Sequence, residues 1–192
     1  MLTDRPPSRK ALLAEFERSD ELGSLELPPD NRLRVEAAAI EAVLASGETS
    51  PVRQACGSFL ETAAAFYRVS APEINVLASR PLRSYEGWSS ELFGDYDPRT
   101  RRIRVWMRTA VRKEVTSYGT FLSTLCHELC HHLDYERFGF SDSHHTRGFY
   151  ERTAVLYHHA RGTPLKSLVW ARAAGGRWRI DWVKTKSGGR PR

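Results

Sequence analysis

Residues 116–138 read TSYGTFLSTLCHELCHHLDYERF, and this stretch decides the fold. Its leucines recur every three or four positions, which is the spacing of one face of an α-helix. Gly139 follows directly, at a place where helices commonly end. The pattern predicts an amphipathic helix whose apolar stripe anchors in a core, and the stripe consists of Leu122, Leu125, Leu129 and Leu133.

The other face of this helix carries an H-E-x-x-H motif. His127 and His131 are four positions apart, so their imidazoles lie one turn above each other and can bind one metal ion. Glu128 lies one step round the helix, from where a carboxylate reaches a water on the metal rather than the metal itself. All seven histidines fall between His127 and His159, which favours a metal site over scattered surface residues.

A catalytic zinc ion usually takes three protein ligands and leaves the fourth position to water. His145 is the predicted third ligand, because it stands after a short loop at the predicted start of the next helix. Two other residues stay open as alternatives. His144 is adjacent, and Glu151 follows His131 by twenty residues, a separation that resembles that of thermolysin-type enzymes.

Two short motifs together, HELCH at 127–131 and HTRGF at 145–149, resemble those of SprT-like and related small gluzincin-type metallopeptidases. The resemblance covers roughly residues 74–161. It implies an α+β, zincin-like fold in which a small antiparallel sheet precedes the motif helix. It also implies a zinc ion (Zn2+) bound by His127, His131 and His145. Glu128 would be the general base.

The chain divides into three predicted segments. Residues 1–30 mix proline, serine and charges, and are interpreted as a flexible leader. Residues 31–183 are expected to form the zincin-like metallopeptidase domain, and residues 184–192 a basic tail. Inside the domain the patterns predict N-terminal helices over residues 31–47 and 50–67, followed by the sheet over residues 74–107. The motif helix is predicted over residues 116–138, a second metal-ligand helix over residues 145–161 and a C-terminal hairpin over residues 165–183.

One strand within the predicted sheet shows strict alternation of apolar and other side chains. We expect it to place one face on the core and the other outward, and to offer an edge near residues 102–106 for pairing with an extended peptide. The inward set is Ile103, Val105 and Met107, and the outward set is Arg102, Arg104 and Trp106.

The composition excludes several classes of protein. Hydrophobic residues make up 41% of 192, which is enough for a packed core and too many for a disordered chain. No apolar run approaches the ~20 residues of a membrane span, and the N-terminus lacks the apolar segment of a secretion signal, so a cytoplasmic protein is expected. Reduced thiols are expected too, with Cys126 and Cys130 as small packing residues rather than ligands of a closed structural zinc site.

The net charge of +6 is distributed unevenly. Residues 1–98 carry 10 basic and 16 acidic side chains, whereas residues 99–192 carry 19 basic and 7 acidic ones. Such an asymmetry favours a polyanionic partner, although arginine-rich surfaces are also common as solvated faces. Nucleic acid is therefore a possible partner of the basic C-terminal half.

These observations predict a zinc-dependent hydrolase, and specifically a small metallopeptidase that acts on protein or peptide substrates with Glu128 as the base. Two alternatives stay open. The first is a non-enzymatic protein in which zinc stabilises the helices and the basic half binds nucleic acid. The second is a hydrolase of another class, such as an amidase, with the same ion.

Overall fold

A computed structural model describes residues 1–85 and 88–187, which contain helices and strands in α+β arrangement. Residue contacts group the chain into two compact units. We call Pro28–Phe138 the helix–sheet unit, and Met1–Leu27 with Gly139–Arg192 the terminal unit. In chain order the elements are α1 (Lys10–Glu21), α2 (Arg32–Leu44), α3 (Thr49–Tyr67), β1 (Glu73–Ser79), β2 (Leu82–Tyr85), β3 (Trp88–Glu91), β4 (Gly94–Asp97), β5 (Arg102–Arg108), α4 (Tyr118–Glu136), α5 (Arg147–Arg161), β6 (Trp170–Arg172), β7 (Trp178–Ile180) and α6 (Trp182–Lys186).

The helix–sheet unit contains a three-stranded sheet with the strand order β1-β5-β4. β4 and β5 form the predicted antiparallel pair, with Gly94 opposite Val105. β1, however, runs parallel to β5, with Val76 opposite Val105. The sheet is therefore mixed, and the prediction of a wholly antiparallel sheet is wrong. Alternation of side chains identifies a strand but carries no information on the direction of its neighbour.

β5 lies in the middle of this sheet, so the expectation of an exposed edge at residues 102–106 is wrong. Its apolar positions are buried as predicted, but Trp106 is also buried, at 8% exposure. The arginines of the outer face form ion pairs with the neighbouring strands: Arg102 lies 2.8 Å from Glu73, and Arg104 lies 2.5 Å from Asp95. The cationic strand is thus neutralised by carboxylates on both sides.

α4 forms as the sequence predicts. Ser117 is its N-cap, and the Ser117 side chain accepts a hydrogen bond from the Thr120 amide. The helix packs against β4, β5 and α2. All four leucines of the predicted stripe are buried, with exposures of 0 or 1%. The motif residues are therefore carried by a helix that the core holds in place.

The terminal unit contains the segment that the sequence analysis interprets as a flexible leader. Residues 10–21 of that segment form α1, which packs against α5 and buries Phe16. The predicted C-terminal hairpin is present as the antiparallel pair β6 and β7. Part of the predicted basic tail forms α6, and residues 188–192 lie outside the described residues.

No helix in the described parts of the chain combines the length and the apolar character that crossing a bilayer requires.

Replacement of Leu129 by alanine is expected to lower the free energy of unfolding of the metal-free protein by about 2–5 kcal/mol, because it leaves a cavity under α4. Val111→Ala is the control, since Val111 is 72% exposed, and we expect a change within about 0.5 kcal/mol. Urea unfolding followed by circular dichroism measures both. Equal losses in the two variants would contradict the anchoring role of the leucine stripe.

Candidate metal centre

The two histidines of the motif meet on one side of α4. The Nε2 atoms of His127 and His131 are 3.2 Å apart, and the rings stand edge to face with centroids 4.8 Å apart. Two imidazole nitrogens on a tetrahedral zinc ion, each about 2.0–2.1 Å from the metal, are separated by about 3.3 Å. The spacing within α4 therefore fits joint coordination of one ion.

Glu128 is held between α4 and β4, with only 5% of its surface exposed. Gly94 of β4 lies directly over it, because a Cβ atom at Gly94 would stand 2.8 Å from Glu128 Oε1 and 2.7 Å from Thr124 Cγ2. Burial raises the pKa of the Glu128 carboxyl to about 8, and the neighbouring charge of Asp95 adds to this rise. A cation bound nearby favours the ionised form and acts in the opposite direction.

His132, next to the motif, is fully buried. Its Nε2 lies 2.8 Å from the carbonyl oxygen of Ser70, which can only accept, so Nε2 carries the hydrogen. In the neutral ring Nδ1 then accepts from the Tyr96 hydroxyl at 2.9 Å. Burial lowers the pKa of His132, in keeping with this neutral form. His132 thus connects α4 to β4.

His145 lies in the terminal unit, two residues before α5. Thr146 caps that helix by accepting a hydrogen bond from the Phe149 amide at 3.0 Å. The ring of His145 stacks on Tyr150, with centroids 5.7 Å apart and an interplanar angle of 19°, and meets the edge of Phe149. Helix capping and two aromatic contacts therefore fix the orientation of this imidazole.

One ring nitrogen from each of three histidines lies within 4.8 Å of the others, so that these side chains can hold a metal ion. They are the three residues for which the sequence predicts this role: His127, His131 and His145.

The alternative third ligands make other contacts within the terminal unit. Glu151 accepts a hydrogen bond from the indole nitrogen of Trp170 at 2.9 Å. His144 packs against Phe16, and its Nε2 lies 3.6 Å from an Asp142 carboxylate oxygen. Neither belongs to the group of metal-binding side chains found among the described residues.

Some features of this centre were missed in the sequence. Gly94 lies against Thr124 and Glu128 of α4, Tyr96 binds His132, and the charge of Asp95 acts on Glu128, yet the three stand in a short stretch that reads only as strand and turn. The only signal for these three was their place at a predicted turn between two strands before the motif, which does not show which helix that part of the sheet covers.

Comparison with models of known protein families gives no match, and comparisons with curated proteins and with solved structures give none either. The resemblance to SprT-like metallopeptidases therefore rests on the motifs alone.

We expect His127→Ala, His131→Ala and His145→Ala each to reduce bound zinc from one ion per chain to well below half, since two imidazoles hold zinc more weakly than three. Glu151→Ala is expected to retain the ion, because Glu151 binds Trp170. Elemental analysis of the purified proteins measures the ratio. Retention by His145→Ala together with loss in Glu151→Ala would overturn this set of ligands.

Gly94→Ala is expected to destabilise the protein by about 1–3 kcal/mol, since the added methyl group overlaps Thr124 and Glu128. Gly57→Ala is the matched control. A Cβ at Gly57 comes no closer than 4.0 Å to another side chain, and alanine favours the helix by about 0.5–1 kcal/mol. Thermal unfolding of both variants should show shifts of opposite sign, and a Gly94→Ala protein as stable as the wild type would contradict the close packing.

Proposed function

We propose that this protein is a zinc-dependent hydrolase, and specifically a metallopeptidase in which His127, His131 and His145 bind the ion and Glu128 is the general base. The observation that carries the proposal is the arrangement on α4. Two imidazole nitrogens lie 3.2 Å apart, and between these histidines in sequence stands a glutamate that is neither one of the grouped side chains nor exposed to solvent. A site with purely structural zinc has no use for a buried carboxylate beside its ligands.

The donor set supports zinc as the ion. Imidazole suits zinc and other borderline divalent metals, whereas magnesium and calcium require oxygen ligands. Three neutral imidazoles leave the full double charge on the metal, and the fourth position of a tetrahedral ion remains for solvent or substrate. When bound, such an ion lowers the pKa of a coordinated water towards neutrality and polarises a carbonyl group.

Glu128 supplies the proton transfer in this proposal. Its carboxylate accepts a proton from the attacking water and passes it to the leaving amine, as a base with a pKa near the working pH does most efficiently. Gly94 leaves the space in which the carboxylate lies. The buried position shields the carboxylate from hydrogen bonds with bulk water.

β4 is the element that we propose to bind an extended peptide. It is one of the two edge strands of the three-stranded sheet in the described part of the helix–sheet unit, and its first residue, Gly94, lies against Glu128. A strand of substrate that pairs with an outer strand gains main-chain hydrogen bonds irrespective of its sequence. This placement replaces the edge at residues 102–106 that the sequence suggests.

Nucleic-acid binding has less support than hydrolysis. Among the basic residues at 99–113, Arg101, Arg102 and Arg104 form ion pairs with carboxylates at 2.5–3.0 Å. In the C-terminal hairpin, two guanidinium groups lie over the ring of Trp178, those of Arg147 at 4.7 Å and Arg172 at 4.8 Å. These contacts use arginines and an aromatic face that a nucleic acid would otherwise engage.

Glu128→Gln is the direct test of the proposed reaction. The amide keeps the shape of the side chain but cannot accept the proton, so we expect hydrolysis of an unfolded protein substrate to fall by about 10²–10⁴-fold while bound zinc stays near one per chain. Cleavage is followed by gel electrophoresis, and mass spectrometry of the products separates a peptidase from an amidase.

Glu136→Gln is the control on the same helix, since Glu136 pairs with the exposed Arg101 at 3.0 Å. Its activity should stay near that of the wild type, because an ion pair whose arginine is exposed to solvent contributes little to stability. A zinc-loaded wild-type protein that hydrolyses neither unfolded proteins nor amides, or a Glu128→Gln variant with full activity, would contradict the proposal.

A further inference from the structure

The loop before α5 is held by side chains from the first twenty residues of the chain, all within the terminal unit. At its start, the Glu15 carboxylate accepts hydrogen bonds from the backbone amides of Ser141 and Asp142, at 2.6 and 3.1 Å. At its end, the Asp20 carboxylate accepts from the Arg147 amide at 2.8 Å and pairs with the Arg147 guanidinium. The loop is thus fixed at both ends by carboxylates.

Asp4 binds this loop at His145 itself. The Asp4 amide donates to the His145 carbonyl oxygen at 2.9 Å, and Oδ2 of Asp4 accepts from the His145 amide at 2.8 Å. The same Oδ2 lies 3.3 Å from His145 Nδ1. One aspartate therefore contacts both the backbone and the ring of this histidine.

The position of the carboxylate determines the chemistry of the ring. A carboxylate can only accept, so Nδ1 of His145 carries the hydrogen that faces Asp4, and Nε2 carries the lone pair. Histidines that bind metals usually donate their other N–H to a carboxylate or a carbonyl, which fixes the tautomer and the direction of the ring and increases its basicity. Asp4 and His145 have this arrangement.

Asp4 is in turn held in place by the C-terminal hairpin. The Thr3 amide donates to the Trp178 carbonyl oxygen at 2.8 Å, and the Thr3 hydroxyl accepts from the Trp178 amide at 2.8 Å. The Met1 carbonyl oxygen accepts from the Ile180 amide at 3.2 Å. The first residues thus pair with β7 through an antiparallel bridge between Leu2 and Arg179, which holds Asp4 beside His145.

We propose that Asp4 is a positioning residue of the metal centre, which holds His145 in the tautomer and orientation that bring Nε2 to the ion. This inference rests on the proposed metal site with His145 as its third ligand. It assigns the N-terminal segment a part in metal binding that its sequence does not suggest. Removal of the carboxylate should therefore weaken zinc binding even where the fold is retained.

The test compares the zinc affinities of Asp4→Asn, Asp4→Ala and wild-type full-length protein by competition with a chromophoric chelator. Loss of a carboxylate that supports a ligand histidine typically lowers affinity by about 10–100-fold. We expect about 100-fold for Asp4→Ala and about tenfold for Asp4→Asn, whose amide oxygen still accepts hydrogen bonds but has no charge. Nitrogen-15 NMR of the His145 ring should show a mixture of tautomers in Asp4→Ala.

Asp142→Asn is the matched control, because this exposed carboxylate lies in the same loop but faces His144 at 3.6 Å. Its zinc affinity should equal that of the wild type. Unfolding of the metal-free proteins separates positioning from a purely structural role: a structural clasp lowers stability and leaves the zinc affinity of the folded protein unchanged.

Two results would overturn the inference in distinguishable ways. If the wild type binds one zinc ion and Asp4→Asn and Asp4→Ala bind it within twofold of the wild type, Asp4 has no positioning role and the metal site stands. If the wild type itself binds no zinc, the metal site fails and the role of Asp4 fails with it.

Discussion

The candidate site depends on one helical turn. In α4 the 3.6-residue period brings two side chains four positions apart onto one face, and their Nε2 atoms end 3.2 Å apart. Such a separation fits a tetrahedral ion only while the backbone stays regular through the turn. The regularity comes from the other side of the helix, where Leu125 and Leu129 are fully buried against the core. Packing energy on one face thus maintains ligand geometry on the other.

The same helix also carries a buried carboxylic acid, Glu128, whose desolvation is unfavourable. Moving Glu128 out of water disfavours its charged form, which is why its pKa rises to about 8. β4 approaches so closely at Gly94 that a methyl group in that position would collide with the carboxyl. For stability alone, an apolar side chain at position 128 would be more favourable than a buried carboxylic acid. In the proposed metal site, the field of a cation would favour the ionised carboxylate and offset the cost of desolvation.

Local patterns in the sequence predict the helices well and the sheet only in part. The leucine period gives α4 and its buried stripe, because a helix joins residues close in the chain. The antiparallel pairing of β4 with β5 also joins close neighbours, and it agrees with the expected antiparallel sheet. The parallel pairing of β1 with β5 was not predictable in this way. This pairing places Val76 opposite Val105, although other strands lie between them in the chain. The alternation of side chains with period two is the same whether the neighbouring strand runs parallel or antiparallel. The edge assigned to residues 102–106 was wrong for the same reason.

The N-terminal segment shows a second limit of local patterns. Prolines and charges in residues 1–30 are typical of a mobile leader, yet α1 forms within them. Three carboxylates of this segment accept hydrogen bonds from backbone amides more than 120 residues away in the chain, those of Ser141, His145 and Arg147. The Arg147 amide belongs to the first turn of α5, where amides lack partners in the helix and a negative charge is favourable. In the sequence, a carboxylate that binds a distant loop looks the same as one exposed to solvent. The sequence shows that the residue is charged, but it does not show which backbone amide donates a hydrogen bond to it.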